Sequence, residues 1–296
     1  MDPRTLKVFV QVSDTLNFSR VAEVSHMSVS AVSRTINRLE QQVGVPLLQR
    51  SRRAIHLTPA GREFSVFARD SLVRWEELKR SLNAADHLRG ELSLFCSVTA
   101  SLHVLGPIID AFQSRYREVD LMLHTGDQAD GIARVMSRVD DIAVSAKPND
   151  LPRAMEFLDL MKSPLVLCIP KRDGPVRSQV LANGVDWSSL PFILPERGVS
   201  REAIDQWFSG LAIQPSVYAQ VSGHEAIVAM VSLGLGVGIV PKLVQLGTGL
   251  AEGVDVVPAP IHLPELMIGL CTLRPRLKDP LLRSFWSVAS ETYHSP

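Results

Sequence analysis

Between Ser28 and Gly44 the chain reads SVSAVSRTINRLEQQVG, and its aliphatic side chains Val29, Val32, Ile36, Leu39 and Val43 recur every three or four residues. That period describes one face of an α-helix, with Ser28 as a capping hydroxyl and Gly44 as the stop. The opposite face collects Ser30, Ser33, Arg34, Asn37 and Arg38. Small residues near a helix start let its backbone approach a surface closely, and the planar guanidinium fork suits guanine or phosphate. A helix of this kind fits a major groove about 12 Å wide. Two arginines on a helix surface also serve plain solvation, so the neighbouring segments must decide.

Upstream, Leu6, Phe9 and Val10 place a short helix over residues 4–13. Ser19 offers a cap for a second helix with Val21, Ala22 and Val24 inward, and His26-Met27 is a tight connection to the third. Two helices joined in this way form a helix-turn-helix. Downstream, VPLLQRSRRAIHLTPAG returns Leu47 and Leu48 to the core, sets Arg50, Arg52 and Arg53 in a short loop, and makes Ala54–Leu57 extended. This is a wing whose arginines are candidates for backbone phosphates beside the groove. Thr58-Pro59 then starts a long helix. Its seam of Phe64, Ala68, Ser71, Trp75, Leu78 and Leu82 pairs with a second copy or packs on the preceding three helices.

Charge placement agrees with a polyanionic partner. Residues 1–62 hold nine Lys or Arg against four acids, a net of +5 in a chain whose formal charge is zero, which leaves −5 for the rest. Hydrophobic residues make up 46% and charged residues 21%, so the chain is neither disordered nor fibrous.

The ordered set Ser30, Ser33, Ile36, Leu39-Glu40, Gly44, Leu47-Leu48 and Arg50, then Leu57-Thr58 and Gly61, resembles the N-terminal motif of LysR-type transcriptional regulators. Leu48 departs from the phenylalanine usual there, a conservative core change. The resemblance implies that the helix with the two serines reads the major groove, that Arg50 and its neighbours lie in the wing, and that the helix after Thr58 joins two protomers.

His87-Leu88-Arg89-Gly90 interrupts the long helix, and Glu91–Cys96 opens a period-two run, so a boundary falls near residues 88–91. Strand and helix patterns then alternate, with strands expected at Asp120–Asp127, Asp141–Ser145, Leu165–Ile169, Phe192–Pro195, Val217–Val221 and Met267–Cys271. Helices are expected around Arg201–Phe208 and from Asp279 to Thr292. This is the signature of a mainly parallel α/β fold, and two such lobes enclose a crevice at strand ends and helix starts. There Ser97, Thr99 and Ser101, with Ala100 between the last two, can meet a small anion. Gly126, Asp127, Pro195, Ser200, Gly223 and His224 occupy the corresponding junctions. Each hydroxyl can equally be a simple helix cap, and His224 can equally be a surface histidine.

This half resembles the LysR effector domain, which is similar to two-lobed periplasmic solute-binding proteins. The resemblance implies crossings near Met161–Ser163 and Pro264–Met267. The expected organisation is a winged helix-turn-helix over 1–58 and a linker and dimerisation helix over 59–88. Lobe 1 is expected over 91–162 with 266–296, and lobe 2 over 163–265. The stretches FCSVTAS, LHTGDQADGI and GHEAIVAMVSLGLGVGIVP are similar to the branch of the family that activates isoleucine and valine biosynthesis. That implies a 2-hydroxy-3-oxo carboxylate, acetolactate or acetohydroxybutyrate, as effector. It also implies double-stranded promoter DNA, RNA polymerase and a second copy, as dimer or tetramer, as partners.

Enzymatic signatures are missing: there is no H-E-x-x-H, G-x-S-x-G, C-x-x-C or Walker lysine loop. Gly234, Gly236 and Gly238 follow a helix instead of ending a strand, so they do not form a dinucleotide fingerprint. The histidines have no metal spacing, and no cofactor is expected. Cys96, Cys168 and Cys271 lie far apart in apolar runs, which suits a reducing cytoplasm. Charge in the first residues argues against a signal peptide, and no apolar run reaches membrane-spanning length.

Overall fold

The computed structural model describes residues 2–50, 55–82, 88–247 and 252–294. Two compact units divide the chain near residue 88.

In the first unit α1 (Pro3–Thr15), α2 (Phe18–Val24) and α3 (Val29–Val43) pack around Phe9, Val12, Val32, Ile36 and Leu39, all fully buried. α2 starts earlier than expected, because Asn17 and not Ser19 caps it, its side-chain oxygen accepting from the Arg20 amide at 3.1 Å. Val24 and Val29, both expected inward, are 63% and 48% exposed. Each sits at the turn end of its helix, so the packed stripe of α3 begins one turn later, at Val32. Ser28 caps α3 through the Ala31 amide at 3.1 Å. Gly44 closes it with φ +84°, a left-handed conformation that costs a side-chain-bearing residue.

β1 (Leu48–Arg50) and β2 (Ile55–Leu57) form an antiparallel ribbon with Leu48 opposite Leu57. Thr58 then caps the long α4 (Pro59–Leu82): its hydroxyl accepts from the Gly61 amide at 2.9 Å and donates to the Pro46 carbonyl at 2.8 Å. Gly61 faces the Leu47 carbonyl so closely that a Cβ would run into that oxygen. The α4 seam is split. Its first half packs on the three helices, with Ala68 buried and Phe64 edge-on to Phe9 at 5.1 Å between ring centroids. Farther along, Trp75 and Leu78 are 46% and 48% exposed.

The second unit continues as β3 (Gly90–Cys96), α5 (Val98–Ala100), α6 (Gly106–Arg115), β4 (Val119–Thr125), α7 (Gly131–Met136), β5 (Ile142–Ala146) and β6 (Met155–Pro170). Then follow α8 (Pro175–Leu181), β7 (Pro191–Pro195), α9 (Val199–Gly210), β8 (Ser216–Val221), α10 (His224–Ser232), β9 (Val237–Pro241) and α11 (Lys242–Gly247). It ends with β10 (Val254–Val257), β11 (Glu265–Leu273) and α12 (Pro280–His294). One lobe has strand order β4-β3-β5-β11-β6, and the other has β10-β6-β9-β7-β8. β3 is parallel to β4 and β5, and β7 to β8 and β9, but β11 runs antiparallel to β5 and β6, and β6 antiparallel to β9 and β10, so the sheets are mixed and not mainly parallel as expected.

β6 belongs to both lobes. Only its Leu165–Ile169 portion has an unbroken apolar pattern; the preceding part mixes Glu156, Asp159 and Lys162 with hydrophobic residues and is half-exposed. β11 pairs with it from Glu265 opposite Pro164 to Leu273 opposite Met155, so both crossing segments are strands hydrogen-bonded to each other. A bulge between Ile268 and Gly269 shifts the register, and a Cβ at Gly269 would collide with the Leu158 carbonyl.

Between α5 and α6, Ser101–Leu105 is wound as a π-helix. Pro107 lacks the N–H that an α-helical His103 carbonyl would accept. The Tyr293 hydroxyl of α12 serves it instead, donating to the His103 and Val104 carbonyls at 3.1 and 3.2 Å. Among the described residues no helix is long and apolar enough to cross a membrane.

Candidate functional site

The polar face of α3 is built as a unit. At 100° per residue, Ser30, Ser33, Arg34, Asn37 and Arg38 cover roughly 140° of the helix, opposite Val32, Ile36 and Leu39. Ser30, Arg34, Asn37 and Arg38 are exposed and Ser33 is half-buried. The Arg34 Nε donates to the Ser30 carbonyl at 3.3 Å, and the Ser30 and Ser28 hydroxyls lie 3.0 Å apart. Arg50 ends β1, opposite Ile55. Arg52 and Arg53 lie outside the described residues, as does the side chain of Arg50.

Glu40 plays a part that its place in a polar helix face does not announce. Its Oε1 accepts from the Leu47 and Leu48 amides at 2.8 and 2.9 Å, so α3 itself holds the start of the wing. The sequence signal was Glu40 just ahead of Gly44, since a carboxylate there can reach the amides of a chain that turns back.

In the second unit a small cleft, part of it open to solvent, lies between the lobes. Of the expected residues, Ser97, Thr99, Ala100 and His224 line it. They are joined by Gln128, Ser145 and an apolar wall from β5, β9, α11 and β11. Ser101, Gly126, Asp127, Pro195, Ser200 and Gly223 do not line this cleft. Ser101 donates back to the Val98 carbonyl at 2.6 Å, and Asp127 accepts from the Ala129 amide at 3.0 Å. The Pro195 carbonyl accepts from Arg201 at 3.0 Å. Gly126 donates its amide to the Cys96 carbonyl at 3.0 Å, and Gly223 precedes α10 with φ +83°.

Ser97 acts as the cap of α5, accepting from the Ala100 amide at 3.2 Å. Thr99 is 1% exposed and reaches across to the other lobe: its amide and hydroxyl both donate to Glu225 Oε1, at 2.9 and 2.6 Å. Nearby, Gln128 donates to the Ser200 hydroxyl at 2.9 Å and Arg197 pairs with Asp130 at 2.8 Å, also joining the lobes. His224 is buried, not a surface histidine, and its Nε2 has no hydrogen-bond partner. Desolvation lowers its pKa to about 4, against the opposing pull of Glu225 and Asp127, so the imidazole is neutral at pH 7. Burial alone would raise the Glu225 carboxyl, but the Thr99 hydroxyl and amide hold it below the usual range, so it is ionised. Sequence reasoning passed over Glu225 because an acid in the first turn of a helix already has a use there, opposite the positive end of the helix dipole. Among the described residues no group of His, Cys, Asp and Glu could hold a metal ion.

A winged helix-turn-helix followed by a two-lobed α/β domain around a small-molecule cleft defines a ligand-responsive transcriptional regulator. Residues 3–62 match the model of the bacterial regulatory helix-turn-helix protein, lysR family, and residues 85–293 match the LysR substrate binding domain. The chain belongs to the LysR family, whose members are DNA-binding regulators and not enzymes, and which bind small-molecule effectors and oligomerise.

The chain is 38% identical over 292 residues to the HTH-type transcriptional activator IlvY of Salmonella typhimurium, covering 97% of this chain and 99% of that protein. It is equally similar, 38% over 292 residues, to the HTH-type transcriptional regulator IlvY of Escherichia coli K12, covering 97% and 98%. Full-length CbnR, solved in complex with its target DNA, shares the fold with a TM-score of 0.64 at 23% identity, over 99% of this chain and 100% of that one.

Proposed function

We propose that this protein activates an isoleucine/valine biosynthesis gene, that of acetohydroxy acid isomeroreductase, in response to acetolactate or acetohydroxybutyrate. The reading rests on its near end-to-end similarity to IlvY activators. The cleft agrees in chemistry: the Thr99 amide and hydroxyl, held here by the Glu225 carboxylate, are donors that suit a carboxylate, His224 has an unused imidazole nitrogen for a hydroxyl or keto oxygen, and the apolar wall suits a short branched chain.

On DNA, Ser30, Ser33, Arg34, Asn37 and Arg38 read base edges, while Arg50, Arg52 and Arg53 meet phosphates. Two copies joined through α4 hold a partly palindromic operator in the cytoplasm, and the effector changes the reach of the paired helices and access by RNA polymerase. Such coupling is reciprocal, so operator DNA must change effector affinity by the same factor.

The test is footprinting on the promoter beside the protein's own gene, with and without each acid. The protected pattern is expected to shift with acid, and Arg34→Ala plus Arg38→Ala is expected to abolish protection. A pattern indifferent to both acids assigns the protein to another pathway. Equal protection by the double variant over a salt series removes α3 from the groove.

A further inference from the structure

Glu225 occupies the two donors that an acidic effector needs. Thr99 gives both its amide and its hydroxyl to one Glu225 oxygen, at 2.9 and 2.6 Å, although the residues belong to different lobes and stand 126 positions apart in the chain. Thr99 lines the cleft and is 1% exposed, so no second anion can share these donors from outside. The adjoining residue points independently to a ligand: His224 is 5% exposed, lines the same cleft, and leaves Nε2 unpartnered. A buried polar atom without a partner is costly, and it is expected where a bound molecule completes the set.

We propose that Glu225 is an internal competitor for the effector: its carboxylate fills the effector's carboxylate position and ties the lobes together until an incoming acid takes Thr99 from it. This rests on the small-acid reading given above. Glu225 is only half-buried, so its side chain can turn to solvent when displaced. The acid then receives the Thr99 amide and hydroxyl, and its hydroxyl or keto oxygen meets His224 Nε2. The direct bond between lobes is exchanged for one that runs through the ligand. Competition of this kind reduces apparent affinity by the fraction of molecules in which Thr99 is vacant, and so sets the concentration at which the regulator responds.

The experiment is calorimetric titration of full-length wild type, Glu225→Gln and Glu225→Ala with acetolactate and, separately, with pyruvate as a plain 2-oxo acid. Circular dichroism serves as the folding control. Glu225→Ala is expected to bind both acids at least tenfold tighter than wild type. Glu225→Gln should fall between, because its amide oxygen still accepts from Thr99 without a charge; should the alanine variant not fold, the glutamine variant carries the same test with the same sign. Tighter pyruvate binding in the variants, with acetolactate bound by none, sinks the choice of effector and upholds the competitor. Equal or weaker binding of both acids in the variants, or no binding to any of the three proteins, overturns it.

Discussion

The carboxylate of Glu40 caps the strand that leads into the wing, accepting from the consecutive amides of Leu47 and Leu48 at 2.8 and 2.9 Å. A charged acceptor with two backbone donors contributes more than a neutral hydrogen bond, and its loss strands both amides beside the core. Glu40→Ala is expected to lower the stability of the N-terminal unit by about 2–4 kcal/mol, read as a shift in its urea midpoint. Glu40→Gln should keep about half of that contribution, since one oxygen still accepts.

Gly61 is required by contact and not by conformation. A Cβ there meets the Leu47 carbonyl, the same carbonyl that accepts from the Thr58 amide at 3.0 Å. Gly61→Ala therefore pushes α4 off the wing, and overpacking of this kind costs about 1–3 kcal/mol. Gly→Ala inside a helix ordinarily stabilises by up to about 1 kcal/mol, so the sign of the change in melting temperature is itself the test.

His224 makes stability depend on mild acid. Burial holds its folded pKa at about 4, below the ordinary value of 6.5, so the unfolded chain takes up a proton before the folded one does. The contribution is complete above pH 6.5 and is lost as pH falls toward 4. Glu225, also depressed, adds a loss of the same sign lower in that range. Melting temperature measured from pH 7 to 4 should fall less steeply for His224→Leu than for wild type. Parallel curves would remove His224 as the cause.

All three cysteines are buried, and burial pushes Cys96, Cys168 and Cys271 to about 12, with the Glu225 charge adding to the effect at Cys96. Near pH 8 only about one thiol in ten thousand is then ionised. Ellman's reagent should label the native protein no faster than it unfolds, and should release three equivalents at once in denaturant. Rapid labelling of any one cysteine in the native state would contradict this.

Most elements were legible because their side chains follow a single period. α3 and α4 were readable from aliphatic spacing and caps, and β5 from the short apolar run Ile142–Val144. The first half of β6 was not: Glu156, Asp159 and Lys162 interrupt it, Pro164 sits within it, and its pairing with β11 is dictated by residues about a hundred positions away. Helix starts hid for a simpler reason, since Asn17 and Ser19 are equally good caps on paper and only packing selects between them. In the candidate site, Thr99, Ala100, Ser97 and His224 could be found because strand ends and helix starts mark crevices. Gln128 and Glu225 could not, because what distinguishes them is a partner in the opposite lobe.

The ladder between β6 and β11 runs through the crossing itself, and this decides what kind of movement the lobes can make. Two independent single strands would let them gape like a hinged shell. A hydrogen-bonded ribbon resists gaping and yields to torsion, so the lobes are set to rotate against one another instead of parting. Under the proposed acid-sensing role, weakening this ribbon should leave calorimetric affinity for the acid unchanged while the footprint on DNA no longer shifts with it.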